Sequence, residues 1–112
     1  MENQNQVIGT YVLLPTRPET VELVNIVVRE DFQSKGIGKQ LISHALEKTK
    51  DQGFQTIEVG TGNSSIAQLA FYQKRGFRIT SVDRDFFTEH YEGELMENGI
   101  LCRDMIRLSK SL

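Results

Sequence analysis

The chain has 112 residues, with 13 Lys and Arg against 15 Asp and Glu and a formal net charge of -2. One small domain of that balance lacks the strongly basic face that sequence-independent binding to nucleic acid requires. No apolar run approaches the roughly 20 residues of a membrane span, the polar Met1-Glu2-Asn3-Gln4-Asn5-Gln6 start is not a signal peptide, and the single cysteine, Cys102, excludes an intrachain disulfide, so a reducing cytoplasm is the expected compartment.

In chain order, Val7 to Leu14 is rich in β-branched and aromatic residues and is closed by Pro15 and Pro18, which predicts a strand and then a turn. Thr20 to Val28 is a second strand, joined to the first by a hairpin through Pro15–Glu19. A helix begins near Gly36: Ile37, Leu41, Ile42, Ala45 and Leu46 form one apolar stripe, and Lys39, Gln40, Ser43, Glu47 and Lys48 fall elsewhere. Gly53 is a left-handed stop, and Thr56-Ile57-Glu58-Val59 is a short strand, parallel to the second through a right-handed crossover. Asn63-Ser64-Ser65 offers three N-caps for a second helix that ends at Gly76, with Phe77 packing back on Tyr72 as in a Schellman motif. Phe77 to Val82 and Ile100 to Leu108 are strands, and the segment between, Asp83 to Asn98, is irregular and acidic. The order is ββαβαββ, a mixed sheet of α/β class with two helices.

The most chemically loaded point is the turn Gln33-Ser34-Lys35-Gly36-Ile37-Gly38-Lys39, which leads from a strand into a helix. Two glycines there allow close approach of the backbone, and the unpaired N–H groups and positive dipole end of a helix start favour an anion. The turn is not a P-loop, because Gly38-Lys39-Gln40 lacks the upstream glycine and the Ser/Thr after lysine. It is not a Rossmann fingerprint either, since Leu41 stands where the third glycine belongs.

Gln33-x-x-Gly36-x-Gly38 after an apolar strand resembles the acetyl-CoA signature of the GNAT superfamily of N-acetyltransferases. Ala70-Phe71-Tyr72-Gln73-Lys74-Arg75-Gly76-Phe77, about 40 residues on, is similar to that family's second motif. The resemblance covers Val7 to Leu108 and looks most like small bacterial members. It implies one domain over 1–112, with a flexible start at 1–6, a hairpin and cofactor-binding βαβ at 7–60, and a helix and strands at 61–112.

The resemblance further implies that backbone N–H groups of Gln33, Ser34, Lys35, Gly36, Ile37, Gly38 and Lys39 cradle the pyrophosphate of acetyl-CoA. The bulged strand end Ile26, Val27 and Val28 would pair with the pantetheine arm. Tyr72 would hydrogen-bond or protonate the departing thiolate, besides being the packing partner of Phe77. Glu22, expected to share a strand face with Val24, Ile26 and Val28, would be a general base of raised pKa or a solvated glutamate near a strand end. Asn63 and Ser65 would contact the cofactor or cap the helix. His44 reads as solvated, His90 as a base or a loop residue, and Cys102 as a small core side chain. No metal spacing is present.

The segment Asp83 to Glu97 carries six acidic residues against Arg84. It is a solvated face, or it draws a cationic amine acceptor such as a polyamine, an aminoglycoside or a lysine side chain. The chain lacks the strand and helices that usually precede Val7 in the family and build a wall of the acceptor site. Val7–Leu14 is then an edge strand, and self-association, as a dimer, or a partner chain is expected to cover it. The expected function is an acetyl-CoA-dependent N-acetyltransferase acting on a primary amine; the alternative is a catalytically impaired CoA-binding or subunit-interaction module.

Overall fold

The computed structural model describes residues 2–3, 6–7, 9–28 and 36–112, with side chains for 11–24 and 36–112. A short antiparallel pair, β1 (Glu2–Asn3) with β2 (Gln6–Val7), precedes a long hairpin of β3 (Gly9–Arg17) and β4 (Thr20–Val28). Then come α1 (Ile37–Asp51), β5 (Thr56–Gly62), α2 (Ile66–Lys74) and β6 (Arg78–Asp83), followed by α3 (Phe86–His90), β7 (Met96–Glu97), β8 (Ile100–Leu101) and β9 (Met105–Ser111). Five strands are linked in the order β3-β4-β5-β9-β6. The order ββαβαββ is therefore present, with α3 and a small hairpin inserted before the last strand. The chain packs as two compact units, Met1–Ile57 with Ser111–Leu112, and Glu58–Lys110.

In the first unit the hairpin carries two irregularities. β3 runs to Arg17, beyond Pro15, so the turn is shorter than expected and consists of Pro18-Glu19. Proline is tolerated there because β3 is an outer strand, where a missing N–H breaks no ladder on its open side, and because Thr16 is an extra residue in the pairing. On β4 the pairs Thr10↔Val27 and Val12↔Val24 leave Asn25 and Ile26 opposite Tyr11 alone. This is the expected bulge.

α1 packs on β3 and β4 with Ile37, Leu41, Ile42 and Ala45 buried. Leu46, expected in that stripe, is half-buried. Thr49 is fully buried instead, because its hydroxyl donates to the Ala45 carbonyl at 2.6 Å and loses no hydrogen bond inside. The helix closes in a Schellman motif: Gly53 is left-handed at φ 87°, its N–H bonds Lys50 O, and Phe54 N–H bonds Thr49 O.

In the second unit α2 ends the same way. Gly76 has φ 95°, its N–H donates to Gln73 O at 3.0 Å, and Phe77 N–H donates to Tyr72 O at 3.0 Å. Two expectations fail beyond it. The single strand from Ile100 to Leu108 is broken over 102–104, because Asn63 Oδ1 accepts the N–H groups of Arg103 and Asp104 and Cys102 N–H goes to Leu95 O. The segment before it is not wholly irregular: it holds α3 and the β7–β8 hairpin. Asn98 and Gly99, at φ 55° and 73°, make the two-residue turn of that hairpin. Asn-Gly between two short strands is the sequence signal that marks it.

Candidate functional site

The N-cap of α1 is Gly36 at φ 75° and ψ 11°, a left-handed conformation that a side chain disfavours. The first intrahelical bond runs from Gln40 N–H to Gly36 O at 3.0 Å, so the N–H groups of Ile37, Gly38 and Lys39 have no intrahelical acceptor. No acidic residue lies in the first turn, and Lys48 and Lys50 sit in the last. The helix start is thus an uncompensated positive terminus with exposed Lys39 beside it. A Cβ built on Gly36 meets nothing within 4 Å among the described atoms. Gln33, Ser34 and Lys35 lie outside the described residues.

On β4, Val21 and Leu23 are buried on the side facing α1, the side on which the Tyr11 hydroxyl and His44 Nδ1 are hydrogen-bonded. Glu22 and Val24 point the other way and are half-buried. Their cross-strand neighbours Val12 and Leu14 are 48% and 53% exposed, so Glu22 sits in an apolar but open face. The bulge changes the parity of β4. Val27 pairs with Thr10 and Val28 with Gly9, and the side chains of Ile26 and Val28, expected beside Glu22, lie outside the described residues. Ile26 belongs to the bulge, and the pairing of Val27 and Val28 ends the ladder.

Tyr72 is 6% exposed. Its ring meets Phe77 edge-on at 5.5 Å and 65°, and Phe71 at 5.4 Å and 76°. The Schellman geometry that fixes Phe77 therefore fixes the tyrosine as well. Burial raises its phenol pKa above the usual 10.0, so the group stays protonated throughout the neutral range. No described residue hydrogen-bonds to its hydroxyl, which leaves a positioned donor.

Asn63 and Ser65 are not side-chain caps, although Ser65 stands at the N-cap of α2. Asn63 Oδ1 accepts from Arg103 N–H at 2.8 Å and Asp104 N–H at 3.0 Å, its Nδ2 donates to Leu101 O at 3.1 Å, and its own N–H donates to Asp104 O at 2.9 Å. Ser65 Oγ and Ser64 Oγ both donate to Glu97, at 2.7 and 3.3 Å. For Asn63 the long-range partners outcompete local capping because they satisfy backbone groups that the break in the last strand would otherwise orphan. Glu97 and Asp104 were not singled out from sequence. Their partners lie 19 to 41 positions away, beyond any local pattern.

The acidic segment is less negative than its own composition indicates. Asp83 Oδ2 accepts from Arg107 Nε and Nη2 at 2.8 and 2.6 Å, and Asp85 pairs with Arg103 at 3.4 Å. His44 is exposed, His90 is exposed with its ring 4.7 Å from that of Phe86, and Cys102 is buried. Among the described residues no three His, Cys, Asp or Glu side chains converge as metal ligands, and no helix is long and apolar enough to cross a membrane.

Comparison with known proteins bears on this geometry. Residues 1–77 match the model of the acetyltransferase (GNAT) family. The uncharacterized N-acetyltransferase YvbK of Bacillus subtilis (strain 168) is 61% identical over 104 residues, which span 93% of this chain and 67% of that protein. A crystal structure of a Bacillus subtilis acetyltransferase in complex with CoA superposes at TM-score 0.96 with 58% identity, over 99% of this chain and 73% of the other. A GNAT family acetyltransferase from Elizabethkingia anophelis with acetyl-CoA bound superposes at TM-score 0.95 with 47% identity, over 99% and 72%.

Proposed function

The chain belongs to the GNAT family of acetyltransferases, and on that premise we propose that it acetylates a primary amine with acetyl-CoA in the cytoplasm, by direct attack on the thioester. The observation that carries the donor half is the start of α1. A left-handed glycine N-cap, three N–H groups without intrahelical acceptors and no acidic residue in the first turn suit a pyrophosphate. Ile37, Gly38 and Lys39 are assigned to it, with Gln33, Ser34 and Lys35 from the preceding turn. The backbone of Ile26, Val27 and Val28 is assigned to the pantetheine arm. Relatives of 58% and 47% identity whose structures hold CoA and acetyl-CoA support this reading.

In the reaction the neutral amine attacks the thioester carbonyl, the C–N bond forms and the C–S bond breaks. Glu22 relays the ammonium proton to water, and a backbone N–H near Val27 stabilises the oxyanion. Tyr72 donates its hydrogen bond to the sulfur as charge develops on it. Full transfer from a phenol at the unshifted 10.0 to a thiolate of pKa about 8.5 is already uphill by about 2 kcal/mol, and burial makes it more so. The tyrosine therefore stabilises the leaving thiolate by hydrogen bonding, and the thiol takes its proton from the amine through water. Asn63 and Ser65 act through the segment they hold as well as by any cofactor contact.

Self-association over the outer strand β3, with its exposed Val12 and Leu14, completes the proposal, and light scattering after gel filtration reads it as a dimer. For the chemistry, release of CoA thiol is measured across a panel of primary amines. Acetyl-CoA at about 100 times its Kd should add roughly 2.7 kcal/mol of stability. Absence of any thermal shift with acetyl-CoA, together with no turnover of any amine, overturns the reading.

A further inference from the structure

The five-stranded sheet has two outer strands, β3 and β6, and the self-association proposed above concerns only β3. Residues Arg78 to Val82 of β6 are all exposed, and among the described residues no strand pairs with its far edge. On its inner side it pairs with β9, as Arg78↔Ser109, Ile79↔Leu108, Ser81↔Arg107, Val82↔Ile106 and Asp83↔Met105. Thr80 is the extra residue in that ladder, and its hydroxyl donates to Arg107 O at 3.2 Å.

This bulge decides which side chains stand together. Residues opposite one another in an antiparallel pair share a face, and Leu108 and Ile106, two apart on β9, share theirs. Ile79 and Val82 therefore share that face although they are three apart, and they are 52% and 46% exposed. Arg78, Ser81 and Asp83 lie on the other face, where Asp83 meets Arg107. Two exposed aliphatic side chains on an edge that carries neither lysine nor proline invite strand addition.

The complement to this edge is the strand itself. Arg78-Ile79-Thr80-Ser81-Val82-Asp83 reads from either end as charged, aliphatic, hydroxyl, with opposite charges at its two ends. Two copies set antiparallel about a twofold axis between Thr80 and Ser81 place Arg78 opposite Asp83, Ile79 opposite Val82 and Thr80 opposite Ser81, each twice. The four aliphatic side chains then make one stripe on one face, with both charge pairs on the other. A slip of one residue sets Ile79 against Ser81 or against Asp83, so only this register matches throughout. Arg78 has neither an ion pair nor a side-chain hydrogen bond among the described residues. On Asp83 the bonds from Arg107 Nε and Nη2 both fall on Oδ2, and the side chain is 45% exposed, so Oδ1 is the atom it offers a second guanidinium.

We propose that β6 pairs antiparallel with β6 of a second copy, joining two sheets edge to edge through an isologous interface. Six residues a side fall well short of the roughly 20–30 of a standard interface. The pairing therefore forms in concentrated protein and separates on dilution, independently of β3 and of acetyl transfer. Sedimentation velocity over a dilution series from about 1 mM to about 1 μM reads it. The mass of the wild-type protein should double toward the concentrated end. Arg78→Glu sets carboxylates against each other at both charge pairs, Asp83→Lys sets cations against each other, and each should abolish the doubling. Mixed in equal amounts, the two variants should regain it, because the mixed pair has opposite charges at both positions. Asp83→Lys also gives up the pair with Arg107, so Ile79→Asp, which breaks the aliphatic stripe and keeps that pair, is a further variant that should stay undoubled. The proposal is overturned if the wild-type mass does not rise, if Arg78→Glu rises as the wild type does, or if the folded variants stay apart when mixed. Association over β3 looks different, since it survives Arg78→Glu.

Discussion

Gly53 and Gly76 occupy the same position in two Schellman motifs, and the structure makes their substitutions unequal. At φ 87° and 95° both are left-handed, so alanine at either costs about 1–2 kcal/mol of backbone strain. At Gly53 a Cβ meets nothing within 4 Å, and strain is the whole cost. At Gly76 a Cβ would lie 2.4 Å from Lys110 Nζ, which donates to the Arg75 carbonyl at 2.7 Å. The ammonium must swing away, and a charge-assisted hydrogen bond at a half-buried site is lost, adding about 1 kcal/mol. Gly53→Ala should therefore cost about 1–2 kcal/mol and Gly76→Ala about 2–3 kcal/mol in urea unfolding followed by far-ultraviolet circular dichroism. In a Lys110→Ala background the cost of Gly76→Ala should fall to that of Gly53→Ala, a coupling of about 1 kcal/mol. Equal costs for the two glycines in the unsubstituted protein, or no coupling to Lys110, would refute the reasoning. Because Gly76 also sets Phe77 against Tyr72, Gly76→Ala should lower kcat while Gly53→Ala leaves it near the original value.

Tyr72→Phe should lower kcat by about 100-fold with little change in KM for acetyl-CoA, as steady-state kinetics would report. The same residue has a stability signature. Its folded pKa is raised, so its contribution is complete below pH 10.0 and is lost as pH climbs through the folded value, because the unfolded state ionises first. Tyr11 is raised too, so Tyr72→Phe should reduce the alkaline loss of stability without abolishing it. Asn63→Leu, of similar volume, orphans two N–H groups and one carbonyl and should cost about 2–4 kcal/mol. Asn63→Asp keeps the acceptor for both N–H groups and should recover part of that in the same urea titration. Gly36→Glu should abolish the thermal shift produced by acetyl-CoA, since it brings strain and a negative charge to the anion-binding helix start; a preserved shift would detach the pyrophosphate from α1.

What could be read from the chain follows local rules. The strand Thr20–Val28, the helix from Gly36 and both glycine stops match the structure because periodicity and left-handed glycine act within a few residues. Tyr72 against Phe77 was legible for the same reason: the Schellman motif ties residues five apart. The extent of β3 was not, because Pro15 normally ends a strand and is tolerated only where no further strand pairs with it.

The sequence established the order of elements, the anion-ready start of α1 and the seat of Tyr72, since each is set by backbone geometry over one or two turns. Tertiary structure alone decided the rest. The bulge at Asn25 and Ile26 sets Val27 opposite Thr10 and Val28 opposite Gly9. Asn63 breaks the last strand and, through Arg103 and Asp104, fixes α3. Arg107 and Arg103 neutralise Asp83 and Asp85. These outcomes depend on hydrogen bonds and charges brought together across 18 to 41 positions, where the satisfaction of buried polar groups, and not local propensity, selects the conformation.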